Sequence, residues 1–327
     1  MLKFVLKRLL LIIPTMLGVL LIIFTINHFM PGDPVQSMLG SKYTQEEYDA
    51  LRAELGLDKP FVVQYVDYVA DVVTKGSLGI SYETKRDVST EIFSKRLGVT
   101  LSVGIFASTI TILVGVCIGI LSAVKKYSAI DYAVTIFAVI FSAAPGFWVA
   151  LMSMLLFCLA IPILPASWGT GGLKAMILPV LCMALSPIAL VARMTRTSML
   201  DVINQDYIRT ARAKGVAERT VIFSHALRNA MIPILTIVGQ QLIMVVGGSF
   251  IIESVFSIPG LGMYMLGAIN TRNYPAIQGT VLVLSFFVCV INLIIDITYA
   301  FADPRIKAQY ENAQKKRFKK ENEKEAA

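Results

Sequence analysis

Six stretches of this chain are long, apolar and nearly free of charge: Leu9–Phe29, Val99–Val124, Tyr132–Ile161, Ala175–Val191, Met231–Ile252 and Thr280–Ala300. A helix needs roughly 20 such residues to cross the hydrocarbon of a bilayer. Inside hydrocarbon every backbone N–H and C=O must be satisfied without water, which helices do within one segment. The fourth stretch is the shortest. Composition agrees, since 56% of the 327 residues are hydrophobic, only 16% are charged, and the mean hydropathy is +0.68. The sequence therefore predicts an all-α, polytopic membrane protein with about six transmembrane helices.

The basic start, Met1 to Arg8, followed by an apolar run, is how a secretory signal begins. The run over Leu9–Phe29 is long enough to span, and no small-residue cleavage site ends it, so it reads as a retained first span. The third stretch exceeds a straight crossing and carries Pro145-Gly146 near its middle, which predicts a kink or a continuation past the membrane surface. The fourth holds Pro179 and Pro187. Broken backbone at membrane depth is tolerated where protein or a water-filled cavity covers it, so both helices are candidates for lining a path, with a packing kink as the plainer alternative.

Lys and Arg are distributed unevenly among the connections. Lys3, Lys7 and Arg8 precede the first span, Lys125 and Lys126 follow the second, and Arg193, Arg196, Arg209, Arg212, Lys214, Arg219 and Arg228 fill the fourth connection. The alternate short connections hold only Lys174 and Arg272. By the positive-inside rule both termini and the fourth connection are expected to face the cytosol. The first connection is basic too, but long segments cross regardless of charge. The expected organisation is a cytosolic N-terminus over 1–8, a first span over 9–29 and an extracytosolic segment over 30–98. A core over 99–302 with a cytosolic loop at 193–230 follows, then a basic tail over 303–327. The tail, with Lys315-Lys316-Arg317-Phe318-Lys319-Lys320, either contacts anionic lipid or is simply solvated.

The net charge of +8 is spread between apolar blocks and is not gathered on one domain with interleaved aromatics, which excludes a nucleic-acid binder. Cys117, Cys158, Cys182 and Cys289 lie in apolar runs at no metal-ligand spacing and read as small hydrophobes. His28 and His225 are the only histidines, no H-E-x-x-H occurs, and no nucleophile has a base beside it, so an enzyme is not expected. The 30–98 segment looks folded. Thr44-Gln45-Glu46-Glu47 is a capping box, Leu51 and Leu55 share a face, and Gly56 and Pro60 end the helix; Phe61 to Val73 predicts a second helix closed by Gly76. It suits either a cap that meets a delivery protein or a structural plug.

Polar groups inside spans are functional candidates by default. Asn27, Gln240, Gln241, Asn292 and Asp296 qualify, Gln240 and Gln241 pointing to different sides of their helix and Asp296 being within reach of a basic partner such as Arg305. Pathway candidates are Pro145, Gln240, Gln241 and Glu253, the last beside the Ser257 to Gly262 turn, which reads equally as a gate segment or an elbow.

The most informative stretch runs from Asp206 to Arg219, Asp-Tyr-Ile-Arg-Thr-Ala-Arg-Ala-Lys-Gly-Val-Ala-Glu-Arg. It predicts helix, break, helix: Ala211 and Ala213 are small enough for close approach, Gly215 permits the positive φ of a sharp elbow, and Glu218 is placed to cap the next helix. This stretch, with His225-Ala226-Leu227-Arg228-Asn229-Ala230, resembles the cytosolic coupling loop of the inner-membrane permeases of binding-protein-dependent ABC importers, in the branch that handles dipeptides, oligopeptides and nickel. Arg209-Thr210-Ala211 stands where the wider family has Glu-Ala-Ala, and Arg228 where a proline is expected; both departures are that branch's habit. The resemblance extends through Pro31-Gly32-Asp33-Pro34, Gly56-Leu57-Asp58-Lys59-Pro60, Gly76-Ser77-Leu78-Gly79, Glu253 with Phe256, Pro259-Gly260-Leu261-Gly262 and Asp303-Pro304-Arg305.

The resemblance implies a type I ABC importer permease fold in a bacterial or archaeal inner membrane. It implies a second permease subunit as partner, two cytosolic ATPase subunits that bind ATP and Mg in this chain's stead, and an extracytosolic binding protein that delivers substrate. ATPase coupling would rest on Asp206, Tyr207, Arg209, Thr210, Ala211, Ala213, Lys214 and Gly215. No G-x-x-x-x-G-K-[ST] phosphate loop occurs here, so the energy comes from another chain. The competing class is an ion-gradient-driven secondary transporter, which should show related repeats and paired midplane acids; the sequence has neither.

Overall fold

The structure, a computed structural model, describes residues 2–40, 42–170 and 172–302. Asp303-Pro304-Arg305, the basic tail and the expected partner of Asp296 at Arg305 lie outside the described residues. In chain order the helices are α1 (Leu2–Phe29), α2 (Pro34–Leu39), α3 (Gln45–Glu54), α4 (Phe61–Lys75), α5 (Val88–Glu91), α6 (Leu97–Val124), α7 (Ala129–Ala143) and α8 (Gly146–Met154). Then come α9 (Lys174–Ile203), α10 (Asp206–Ala213), α11 (Glu218–Thr220), α12 (Leu227–Val255), α13 (Leu261–Asn270) and α14 (Tyr274–Ala302). Wider π-type turns join α5 to α6 over Ile92–Arg96 and α11 to α12 over Val221–Ala226. Among the described residues five helices are long and apolar enough to span, or six if the bent pair α7 and α8 counts as one.

One expectation is met in place and exceeded in degree, and one is corrected. The third apolar stretch bends at Pro145-Gly146, so sharply that it forms two helices, α7 and α8, meeting at 104°. Pro145 lacks an N–H, pushes Ala144 out of the helical region and itself stands at the N-cap of α8 with φ −61° and ψ 132°. The fourth stretch is the reverse case, because α9 runs unbroken over Pro179 and Pro187 and does not stop at Val191. Its continuation to Ile203 carries an inward stripe, Val191, Ala192, Thr195, Ser198 and Met199, at helical spacing. Arg193 and Arg196 therefore belong to a helix, not to a loop.

The chain divides into two compact units. One comprises Met1–Ile110, Ala143–Ser186 and Met244–Cys289. Its 30–98 segment is folded as the sequence predicts: Thr44 and Glu47 form the reciprocal capping box on α3, and Gly56 at φ +67° closes it, with Leu57 N–H on the Arg52 carbonyl at 3.0 Å. Helix α4 runs two residues further than Val73, to Lys75, and ends on Gly76 at φ +63°. It lies along α1, where Phe24 meets Phe61 and Tyr65 edge-on at 5.4 and 5.8 Å and the Tyr65 hydroxyl donates to the Leu17 carbonyl. Leu78, Val88, Ile92, Leu261, Ala276, Ile277 and Val283 form this unit's apolar core, so the segment after the first span is built into the same core as α13 and α14.

The other unit comprises Thr111–Ser142, Pro187–Ile243 and Val290–Ala327. Its core gathers Ile120, Val191, Met199, Ile208, Val221, Ile222, Ala226, Ile234 and Val238. Helices α6 and α9 approach closely here because Gly115 and Gly119 present no side chain. A Cβ on Gly119 would stand 2.6 Å from the Ala192 carbonyl oxygen and from Thr195 Cβ, and one on Gly115 would stand 2.9 Å from Val191 Cβ. This is the G-x-x-x-G spacing of membrane helix pairs, here on α6.

Candidate functional site

The Asp206–Arg219 stretch folds as helix, elbow, helix. Gln205, in extended backbone, precedes α10, and Asp206 in the first turn complements the helix dipole. At the other end Gly215 takes φ +76°, its N–H bonding to the Arg212 carbonyl at 2.9 Å while Val216 N–H reaches the Ala211 carbonyl at 3.2 Å. That 6→1 and 5→2 pair is a Schellman closure, and the Gly215 requirement read from the sequence is its cause.

Glu218 behaves differently from the expectation. It does not cap the next helix, whose N-cap Ala217 has no side-chain partner. Its carboxylate instead accepts two hydrogen bonds from the Arg212 guanidinium, from Nη2 at 2.7 Å and from Nε at 3.1 Å, across the elbow. The planar fork of arginine fits a carboxylate in two bonds, and Glu218 beside it raises the Arg212 pKa further above its ordinary value.

One face of α10 anchors it. Ile208 is fully buried in the unit's core, and Ala211 and Val216 pack partly against the same cluster. Ala211 is thus turned inward, onto its own unit. Asp206, Tyr207, Arg209, Thr210, Ala213 and Lys214 are all exposed on the rest of the helix, Tyr207 at 46%. The Arg209–Asp206 pair is 4.0 Å apart between largely exposed side chains and holds little in place. Helix α10 thus has an apolar anchor on one side and a ring, a hydroxyl, a methyl and cations exposed on the other.

A contact that sequence reading missed lies in the same unit. Asp131, 2% exposed, accepts from Arg196 Nε at 2.5 Å and Nη2 at 2.8 Å, from Ser122 Oγ at 2.6 Å and from Tyr127 N–H at 2.9 Å. It ties the α6–α7 turn to α9, the helix that leads into α10. The available signal was an acid close after Lys125-Lys126 in an apolar run, since an ionised group there demands a partner.

Of the pathway candidates, Pro145 and Glu253 belong to one unit and Gln240 and Gln241 to the other. Pro145 is exposed at the α7–α8 corner. Gln240 is exposed and Gln241 is buried, so the two do point to different sides of α12. Glu253 is fully buried within its own unit, where its carboxylate accepts from Thr100 Oγ1 at 2.7 Å and from the N–H of Gly262 at 2.7 Å, at the start of α13. Among the described residues no group of three or more His, Cys, Asp or Glu is placed to hold a metal.

A chain of long apolar helices, with α10 anchored on one face and exposed on the other, has the form of a membrane-embedded component. Comparison with known proteins supplies the particular family. The models for binding-protein-dependent transport system inner membrane components match residues 115–308, and that family's N-terminal model matches 1–104. The chain is 40% identical to a dipeptide transport system permease protein of Alkalihalophilus pseudofirmus, over 94% of this chain and 100% of the relative. It is 38% identical to the dipeptide transport system permease protein of Escherichia coli K12, over 94% and 99%. A putative peptide permease protein of Brucella suis is 38% identical over 94% and 99%. The methionine ABC transporter MetNI, in inward-facing conformations, shares the fold at a TM-score of 0.52 and 19% identity, over 65% of this chain and 96% of that one. The chain belongs to the binding-protein-dependent transport system inner membrane component family. It is a multi-pass inner-membrane permease subunit of an ATP-driven importer with the type I fold, and is itself non-catalytic, which sets aside the ion-gradient-driven alternative.

Proposed function

We propose that this permease imports peptides and that α10 with its Gly215 elbow is the surface on which an ATPase subunit docks. The carrying observation is the two-sided character of α10: Ile208 and Ala211 fix it to the unit's core while Tyr207, Arg209, Thr210, Ala213 and Lys214 face outward. Relatives named as dipeptide permeases support the substrate class. In this reading both termini and α10 face the cytosol, a second permease subunit completes the path, and an extracytosolic binding protein delivers the peptide. Two ATPase subunits bind ATP and Mg; on closing they push α10, and the Schellman closure and the Arg212–Glu218 fork pass the push into α12.

The test is reconstitution with the neighbouring subunits in liposomes, measuring ATP hydrolysis and peptide uptake together. Ala213→Glu, on the exposed face, and Gly215→Pro, at the elbow, are expected to separate the two rates or to lose the ATPase on purification. Normal coupling in both variants, or uptake that follows an ion gradient without ATP, overturns the proposal.

A further inference from the structure

In the unit that holds the 30–98 segment, a cavity of about 600 Å³ is walled by the C-terminal end of α1, the end of α3, α4 and the start of α14. That volume is of the size that takes small organic ligands. Two carboxamides of the lining are buried, Asn27 at 2% exposure and Gln278 at 5%. Tyr82 and Tyr274, with rings 6.4 Å apart, also line it. Its charged lining is Asp33 and Asp71, half-buried, and Arg52, Glu54, Lys59 and Asp67, exposed.

Asn27 Nδ2 has no hydrogen-bond partner in the structure. A buried donor left unpaired is costly, and one that lines a cavity can be satisfied by an acceptor on a molecule bound there. A carboxamide offers a donor and an acceptor together, which is the complement of a peptide unit. Asp67 is held by an exposed pair with Lys59 at 2.7 Å, and Arg52 by Asp33 at 4.0 Å and by the Tyr48 hydroxyl at 2.9 Å; surface pairs of this kind are weak and exchange for ligand ions.

We propose that this cavity binds a short peptide, its backbone amide on the carboxamides of Asn27 and Gln278 and its charged termini on Asp67 and Arg52. The inference rests on the peptide reading above and adds to it a substrate site on the permease, separate from the delivery protein.

The experiment uses the full chain with the subunits that co-purify with it, in nanodiscs without delivery protein, and measures equilibrium binding of radiolabelled trialanine. Saturable binding is expected, weakened at least tenfold by Asn27→Leu and by Gln278→Leu and by acetylating and amidating the peptide termini. Assembly by size exclusion is the folding control. In addition, Asn27→Leu should raise the unliganded Tm by removing the unpaired donor while abolishing the trialanine-dependent rise in Tm. Absence of saturable binding to the wild type, or undiminished binding in both variants, overturns the inference. ATP-driven uptake with delivery protein, run on the same preparation, separates the two readings: uptake without cavity binding removes this site and leaves the peptide reading standing, and loss of both removes both.

Discussion

Taking away one member of the Asp131–Arg196 pair leaves a charge in a buried setting with nothing to balance it. Removing one partner of a buried pair typically costs about 3–5 kcal/mol, while replacing both by apolar side chains is often neutral. Asp131→Leu is therefore expected to lower Tm sharply and to reduce the folded yield, and Asp131→Leu with Arg196→Met to restore it; a single variant as stable as wild type would mean the pair carries no weight. Asp87, outside the spans, is a milder case. Burial disfavours its charged form, but hydrogen bonds from Ser77, Ser89 and the Thr90 N–H outweigh that and hold its carboxyl below the ordinary 3.8. A carboxyl whose folded pKa is depressed contributes stability that is full above its unfolded value and lost as pH falls through the folded one. Hydrogen exchange over 76–90 should be slow and unchanged from pH 7 to about pH 5 after correction for intrinsic rates, then rise below about pH 3.8. Asp87→Asn should show the faster exchange at every pH.

At the scale of elements, α6 and α9 depend on the absence of two side chains. Gly119→Leu forces a side chain against the Ala192 carbonyl oxygen and Thr195, and overpacking of this kind typically costs about 1–3 kcal/mol or more where backbone must move. The expected result is loss of folded protein on size exclusion. Gly18→Leu on α1, where a Cβ meets nothing within 4 Å, should leave the elution profile unchanged and so serves as the control. Within α10 the element logic was legible in sequence: Gly215 after a helix and apolar Ile208 one turn before Ala211 point to a closed, anchored helix. Glu218 was not. A glutamate at the start of a helix reads as a cap from spacing alone, and only the position of Arg212 across the elbow redirects it.

For the whole molecule, orientation is the property on which the proposed coupling depends. In a background without native cysteines, Glu54→Cys on α3 is expected to react with a membrane-impermeant maleimide added to intact cells. Tyr207→Cys on α10 should react only in inside-out vesicles, because one residue stands on the 30–98 segment and the other on the basic side. Reaction of both from the same side would reverse the proposed path of energy into the chain.

The sequence by itself determined the class of solvent, the number of spans to within the bent pair, the folded 30–98 segment and the elbow at Gly215. These follow from local causes: apolar runs longer than a bilayer, a capping box, and a glycine where φ must be positive. Tertiary structure alone decided that α9 continues past Val191, that α7 and α8 break at 104°, that Asp131 meets Arg196 sixty-five residues away, and that Ala211 faces inward while Ala213 faces out. The physical reason is that apolarity and turn chemistry act on neighbours along the chain. Which side of a helix is covered, and which buried ion finds its partner, depends on surfaces brought together from distant segments.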